Sequence, residues 1–214
     1  MKTDAKKYPQ KEENLNIITH GIGFLLSIPA LVLLVVRASL YGDVLQIVSA
    51  AIYGSSLVIL YFASTAFHMA KDRKRRNRLN VFDHTSIFLL IAGTYTPFVL
   101  VTLHGPWGWS IFGVIWGIAI AGIIMKLFYT GRFNLLSTIL YVAMGWVMVI
   151  AIVPLVKALP LAGLMWLLAG GISYTVGAGV FLLNRLPYNH AIFHVFVLMG
   201  SLFHFVAVYR FVLP

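Results

Sequence analysis

The chain contains no cysteine. Disulfides, thiolate metal sites and cysteine nucleophiles are therefore excluded. Charge is scarce as well: 10% of the 214 residues are charged, where a soluble domain carries about 25%. Acidic residues are the scarcest, six against sixteen lysines and arginines, for a net charge of +10. No linker of any length breaks the chain, and no internal repeat or low-complexity tract is visible. One domain over residues 16–213 is the expectation, behind a Lys-rich polar tail over residues 1–15. The tail and the apolar stretch that follows lack the small-residue cleavage pattern of a secretory signal.

Hydrophobic residues make up 60% of the chain. They run in blocks longer than about 18 residues, the length that reads as a membrane span. A soluble domain of this size still exposes much of its surface and could not hide so much apolar area, so the natural solvent is lipid. Continuous apolar runs of about 20 residues indicate helices, because barrel strands alternate polar and apolar over about 10. Seven spans are predicted, at about Asn16–Val36, Val44–Met69, Val81–Leu103, Trp109–Phe128, Leu135–Val156, Leu161–Leu183 and Tyr188–Val212. The fold class is thus an all-α membrane protein, a seven-transmembrane-helix bundle. Pro29, Pro97 and Pro154 fall inside spans, where they kink helices or open backbone groups that neighbours must satisfy. Glycines such as Gly170, Gly171, Gly177 and Gly179 are expected to allow close helix contact.

The positive charge invites a nucleic-acid reading, but its distribution argues against one: the basic residues sit at the ends of apolar runs, where lipid headgroups lie. One side of the bundle carries Lys2, Lys6, Lys7, Lys11, Lys71, Arg73, Lys74, Arg75, Arg76, Arg78, Lys126, Arg132 and Arg185; the other carries Arg37, Lys157 and Arg210. Basic residues in short loops favour the cytoplasmic side, which predicts a cytoplasmic N-terminus and an external C-terminus. The Lys71–Arg78 run reads as a topology determinant that also touches anionic lipid.

Polar residues inside spans are costly in lipid and are functional candidates. Asp83 is the only acidic residue in a span; His20, His68, His84, His190, His194 and His204 are the span histidines. His68 closes an inward-running helix, Asp83 opens an outward-running one, and His190 and His194 lie in the first turns of another. All four therefore share one layer near the cytoplasmic edge. His190 and His194 are spaced i, i+4 and project from one helical face. With His68 as a third ligand, the fourth position is left for water, the form of a catalytic zinc site. Ser64 lies one turn before His68 and can meet that water; Asp83 can hold it or accept its proton. The same residues also admit a plainer reading, an interfacial histidine pair and a small packing serine that back-bonds to its own helix. His20, His84 and His204 are expected to be helix-packing donors. A retinal protein would need a lysine inside the seventh span, which has none, and a b-type haem would need a second histidine pair at matching depth; neither cofactor is expected.

The chain resembles the bacterial hemolysin III proteins, within the wider progestin and adipoQ receptor (PAQR) family. The resemblance covers nearly all of it and rests on Ser64-Thr-Ala-Phe-His68, on Phe82-Asp83-His84-Thr85 with Gly93-Thr94-Tyr95-Thr96-Pro97, and on His190-Ala-Ile-Phe-His194 with Gly200-Ser201-Leu202-Phe203-His204-Phe205. It implies an intramembrane Zn2+ near the cytoplasmic face, bound by His68, His190 and His194. Asp83 would then act through a metal-bound water, with Ser64 beside it. It also implies a multi-pass protein of the bacterial inner (plasma) membrane whose partners are membrane lipids and a lipid-like small molecule. The leading expectation is a zinc-dependent hydrolase of a lipid-like amide or ester, ceramidase-like, involved in membrane lipid homeostasis, with Asp83 and Ser64 as catalytic residues. The alternatives are a zinc-containing receptor or sensor without catalysis, and a cytolysin. The weakness of the cytolysin reading is physical, since a pore needs a polar stripe through the bundle.

Overall fold

Inside lipid no water is present to satisfy the backbone, so each long apolar run closes its own amide hydrogen bonds as a helix. In the computed structural model, which describes residues 4–214 apart from the side chain of Asn134, eight α-helices follow in order. They are α1 (Gln10–Tyr41), α2 (Val44–Met69), α3 (Arg73–Pro97), α4 (Gly105–Tyr129), α5 (Asn134–Gly145), α6 (Ile152–Ala158), α7 (Leu161–Leu182) and α8 (Asn189–Ala207). α5 and α6 form one broken span, so seven segments are long and apolar enough to cross a membrane. No strand occurs among the described residues. The expected seven-helix all-α bundle is present. Lys2, counted above among the basic residues, lies outside the described residues.

Helix starts follow local chemistry. Asp43 caps α2 through a reciprocal capping box with Gln46, and Asp72 caps α3 by accepting from the Arg75 amide at 2.8 Å. Pro106 sits in the first turn of α4, where its missing N–H costs nothing. The internal prolines behave differently from one another. α1 passes Pro29 without a break. After Pro97 the helix widens into a π turn over Phe98–Leu103. Ahead of Pro154 the fifth span tightens into a 3-10 turn over Val147–Ala151. That break frees backbone groups inside the membrane, and one side chain meets two of them. The Tyr95 hydroxyl donates to the Gly145 carbonyl at 2.7 Å and accepts from the Met148 amide at 2.9 Å.

The third span is the central post of the bundle: 67% of its most apolar window is buried, against 17% for α7. Its own Phe88 and Val99, with Leu57 of α2 and Ile115 of α4, have almost no exposure. Outward-facing Leu25, Leu26, Ile120, Ile150 and Leu161 are exposed, as suits a lipid-facing belt. α1 packs on α2, α2 on α3, and α1 returns against α8 to close the ring; α5 touches α3 and α7 more sparsely. Of the four glycines expected at helix contacts, two serve there. A Cβ at Gly170 would collide with the His204 ring, and one at Gly177 would lie 2.8 Å from Phe196. Gly171 and Gly179 face open space or only an ordinary contact.

Candidate metal centre

Two helices deliver the three histidines. His68 stands in the last turn of α2, and His190 and His194 stand in the first turns of α8. α8 begins abruptly because Tyr188, its N-cap, takes a left-handed conformation (φ 57°) that few bulky residues adopt. The Asn189 side chain then donates to the Phe181 carbonyl at 3.0 Å and ties this start to the end of α7. His68, His190 and His194 are all buried, and one ring nitrogen from each lies within 4.8 Å of the others. The i, i+4 pair and the distant His68 therefore converge at one point.

The ring nitrogens face that point with their lone pairs. His68 Nδ1 is 2.7 Å from Glu13 Oε2, so Nδ1 carries the proton and donates it. The Asn16 amide, 3.4 Å from the same nitrogen, is too distant to compete. His68 Nε2 is thereby left with its lone pair, 3.2 Å from His190 Nε2. The Thr19 hydroxyl spends its own proton on the Leu15 carbonyl at 2.8 Å, so its oxygen accepts from His194 Nδ1 at 3.2 Å. Nε2 is again the free nitrogen. Two imidazole nitrogens 3.2 Å apart share either a proton or a cation. Zinc–nitrogen bonds of about 2.0–2.1 Å at a tetrahedral centre place ligand atoms about 3.3 Å apart, so the donor set and its spacing fit a tetrahedral metal such as zinc.

A cavity of 160 Å³ opens beside the cluster, lined by His190, His194, Asp83 and Ser64 among others. Asp83 Oδ2 is 3.7 Å from His84 Nδ1, and His84 Nδ1 donates to the Asn80 carbonyl at 2.9 Å. The Ser64 hydroxyl is buried and makes no hydrogen bond among the described residues. Its neighbour Thr65 back-bonds to the Tyr61 carbonyl at 2.7 Å, as serine and threonine in membrane helices commonly do. Ser64 departs from that plain reading. The cavity walls away from the histidines are mostly apolar, with Leu60, Ile87, Leu90, Ile91 and Val197, and Thr94, Ser137, Tyr141 and Thr175 stand among them. A second cavity of 260 Å³ shares Thr94, Tyr95, Trp146, Gly171 and His204 with the first, which carries the apolar space toward the opposite end of the bundle.

The other histidines divide. His204 Nε2 donates to the Leu167 carbonyl at 3.1 Å, the packing role expected of it. His20 does not act as a packing donor. Its ring stacks on His194 with centroids 3.4 Å apart, and neither nitrogen finds a hydrogen-bond partner among the described residues. On the basic side, the segment ahead of α1 lies over the cluster. Tyr8 stacks on the His190 ring at 4.7 Å, and burial together with the charge of Glu12 pushes its phenol above the ordinary value, keeping it neutral. Asp4 pairs with Arg73 at 2.6 Å, and hydrogen bonds from Arg73 and Asn77 hold its carboxyl below the ordinary value. The Ala5 amide donates to Asn77 at 2.9 Å.

Glu13 and Tyr8 were not singled out in the sequence, because the apolar run that marks the first span begins only at Asn16, and Thr19, inside that run, looks like any other span threonine. A signal was present. Glu12 and Glu13 fall in the first turn after Pro9, a helix-start pattern, and Glu13, Asn16 and His20 fall at i, i+3 and i+7 on one face of α1.

The sequence profile described as "Haemolysin-III related" matches residues 8–205. "Hemolysin-3" of Bacillus cereus is 50% identical over 204 residues, covering 95% of this chain and 93% of that protein. "Hemolysin-3 homolog" of Bacillus subtilis (strain 168) is 48% identical over 191 residues, covering 89% and 90%. The human "Monocyte to macrophage differentiation factor" is 27% identical over 206 residues, covering 94% and 84%. The chain is therefore a multi-pass membrane protein that belongs to the haemolysin-III-related family.

Proposed function

We propose that this chain is a zinc-dependent membrane hydrolase that cleaves an amide or ester bond in a lipid-like substrate, with the site near the cytoplasmic leaflet of the bacterial plasma membrane. One observation carries the reading: the three-histidine cluster adjoins an apolar cavity that Asp83 and Ser64 also line. An acyl chain fits the apolar walls, and its carbonyl then reaches the polar end.

A zinc ion held by His68, His190 and His194 would lower the pKa of a bound water from 15.7 toward about 7 and polarise the substrate carbonyl. Asp83 takes the proton of the attacking water and returns it to the leaving nitrogen or oxygen as the carbon–heteroatom bond breaks. The uncommitted Ser64 hydroxyl donates to the carbonyl oxygen as negative charge builds there. Carbonyl carbon gains the water oxygen, the acyl group leaves as a carboxylic acid, and the amine or alcohol departs with the proton.

The two Bacillus relatives carry a haemolysin name, which suggests a cytolysin. A conducting pore needs a continuous polar path, and the cavity surface is mostly apolar, with Leu90, Ile91, Val142 and Val197 among its walls, which supports the enzyme instead. A receptor or sensor with a purely structural metal gives no use for a carboxylate and a free hydroxyl at the cavity's polar end. The deciding experiment compares zinc-loaded wild type with zinc-loaded Asp83→Asn over a panel of lipid amides and esters. The variant keeps the shape and loses the base, and turnover falls by about 10² or more. No turnover by wild type on a broad panel, or equal turnover by both, overturns the proposal.

A further inference from the structure

The bundle spends a buried carboxylate on one of its histidines. Glu13 is 8% exposed and Arg76 4%, so both charges are withdrawn from water. A buried ion pair is a poor source of stability, because desolvation offsets most of the attraction. Its retention calls for a geometric reason, and the neighbours supply one. Arg76 is fully engaged: its guanidinium donates to Glu13 Oε1, to the Lys6 carbonyl at 2.8 and 3.2 Å, and to the Phe67 and Ala70 carbonyls at 3.4 Å. It also lies over the Phe67 ring at 4.5 Å. Arg76 is thus a fixed anchor at the start of α3, bound to the turn that ends α2. It clamps one oxygen of Glu13, the Tyr8 amide donates to that same oxygen at 3.2 Å, and the other oxygen is presented to His68 Nδ1 at 2.7 Å.

We infer that Glu13 is a positioning residue for the metal centre. It fixes the His68 tautomer and ring direction so that Nε2 points at the shared ion, and Arg76 holds the carboxylate in place. This inference rests on the metal-site reading proposed above. A metal-bound imidazole whose other N–H is held by a carboxylate is both oriented and made more basic. The three ligands are not treated alike. His68 has a carboxylate, His194 has only the neutral Thr19 hydroxyl, and His190 Nδ1 has no hydrogen bond among the described residues. α1 contributes no ligand, yet it carries the partners of two of them.

The test separates positioning from simple charge balance with two substitutions in the full-length, detergent-purified protein. Glu13→Gln keeps the length and removes the charge. Glu13→Asp keeps the charge for Arg76 but draws the carboxylate back by one methylene, beyond reach of His68 Nδ1. Zinc affinity is measured by chelator competition, and the Co2+-substituted protein reports ligand geometry in its visible spectrum. Histidine tautomers are read in the metal-free protein from 15N-labelled histidine. Positioning predicts that both variants lose zinc affinity by about 10- to 100-fold, with an altered Co2+ spectrum, and that His68 leaves the Nδ1–H tautomer it holds in wild type. If Glu13→Asp binds zinc as wild type does, Glu13 only balances Arg76 and the inference falls. Should Glu13→Gln fail to fold, Glu13→Asp still decides. Zinc bound equally by all three proteins overturns the positioning role alone. A wild type that binds no stoichiometric zinc overturns the metal reading with it.

Discussion

His68 Nε2 and His190 Nε2 lie 3.2 Å apart, although their residues are separated by 122 positions in the chain and sit on different helices. In a membrane interior two imidazoles gain nothing from meeting this way unless something joins them. One neutral pair sharing a proton would leave His194, in ring contact with both, without a purpose. A common cation gives all three rings the same task.

That relationship sets the first expectation: one zinc per chain in the detergent-purified protein, measured by elemental analysis. His68→Ala, His190→Ala or His194→Ala removes most of it. His204→Ala keeps it, because His204 is ten residues beyond His194, about 15 Å along the helix, and spends Nε2 on the Leu167 carbonyl. Equal loss in all four variants would mean general misfolding and would remove the local site. The purified protein is also colourless; a haem or retinal band retained through purification contradicts the exclusion of both cofactors.

Much of this was legible in the sequence, for reasons that can be named. Lipid-length apolar runs give the spans directly, since hydropathy is the membrane's main selection. The depth of His68, Asp83, His190 and His194 follows from counting turns in from the span ends, which needs no tertiary contact. Ser64 follows from its place one turn before His68. What could not be read is what depends on side-chain partners across helices. Glu13 looks like part of a Lys-rich tail, and only the helix starting at Gln10 carries it to His68. His20 has the appearance of any span histidine until its ring is found stacked on His194. The change of helix type after Pro97 is signalled by the proline, but not whether it widens or tightens.

Topology gives a second expectation. Basic residues gather at the end of the bundle that holds the histidines, and the positive-inside rule predicts that this end faces the cytoplasm. A reporter active only in the cytoplasm is silent when fused after Pro214 and active when fused ahead of the first span. A strong signal at both ends would require an even number of crossings and would undo the assignment of the site to the inner leaflet.

Gly170 carries a stability expectation. Its missing side chain is what lets α7 approach the His204 ring of α8. Gly170→Ala forces that ring or the helix to move, an overpacking cost of about 1–3 kcal/mol, read as a lower thermal midpoint in detergent. Zinc content stays at the wild-type level, because the metal cluster is about 15 Å away along α8. Gly113→Ala, on an open face of α4 with no atom near its Cβ position, serves as the control and leaves the midpoint unchanged or raises it slightly.

The acyl chain's path supplies the last expectation, which rests on the hydrolase reading. Gly171 lines both cavities, together with Thr94, Tyr95, Gly145, Trp146 and His204, so these residues form the neck between the histidine end and the deeper apolar space. A Cβ at Gly171 would make only an ordinary contact, 3.8 Å from the Trp146 ring. A larger side chain is therefore accommodated by the bundle and costs the cavity its free neck. Gly171→Leu should leave zinc content and folding intact and leave turnover of short-chain amides or esters near the wild-type rate. Long-chain substrates, which must pass the neck, should lose about tenfold or more in kcat/KM, the consequence of losing burial of two or more methylenes at about 0.8 kcal/mol each. The informative quantity is the ratio of long- to short-chain kcat/KM in the variant against the same ratio in wild type. An unchanged ratio would mean that the chain lies elsewhere, between the helices and the lipid, and that the two cavities are not its route.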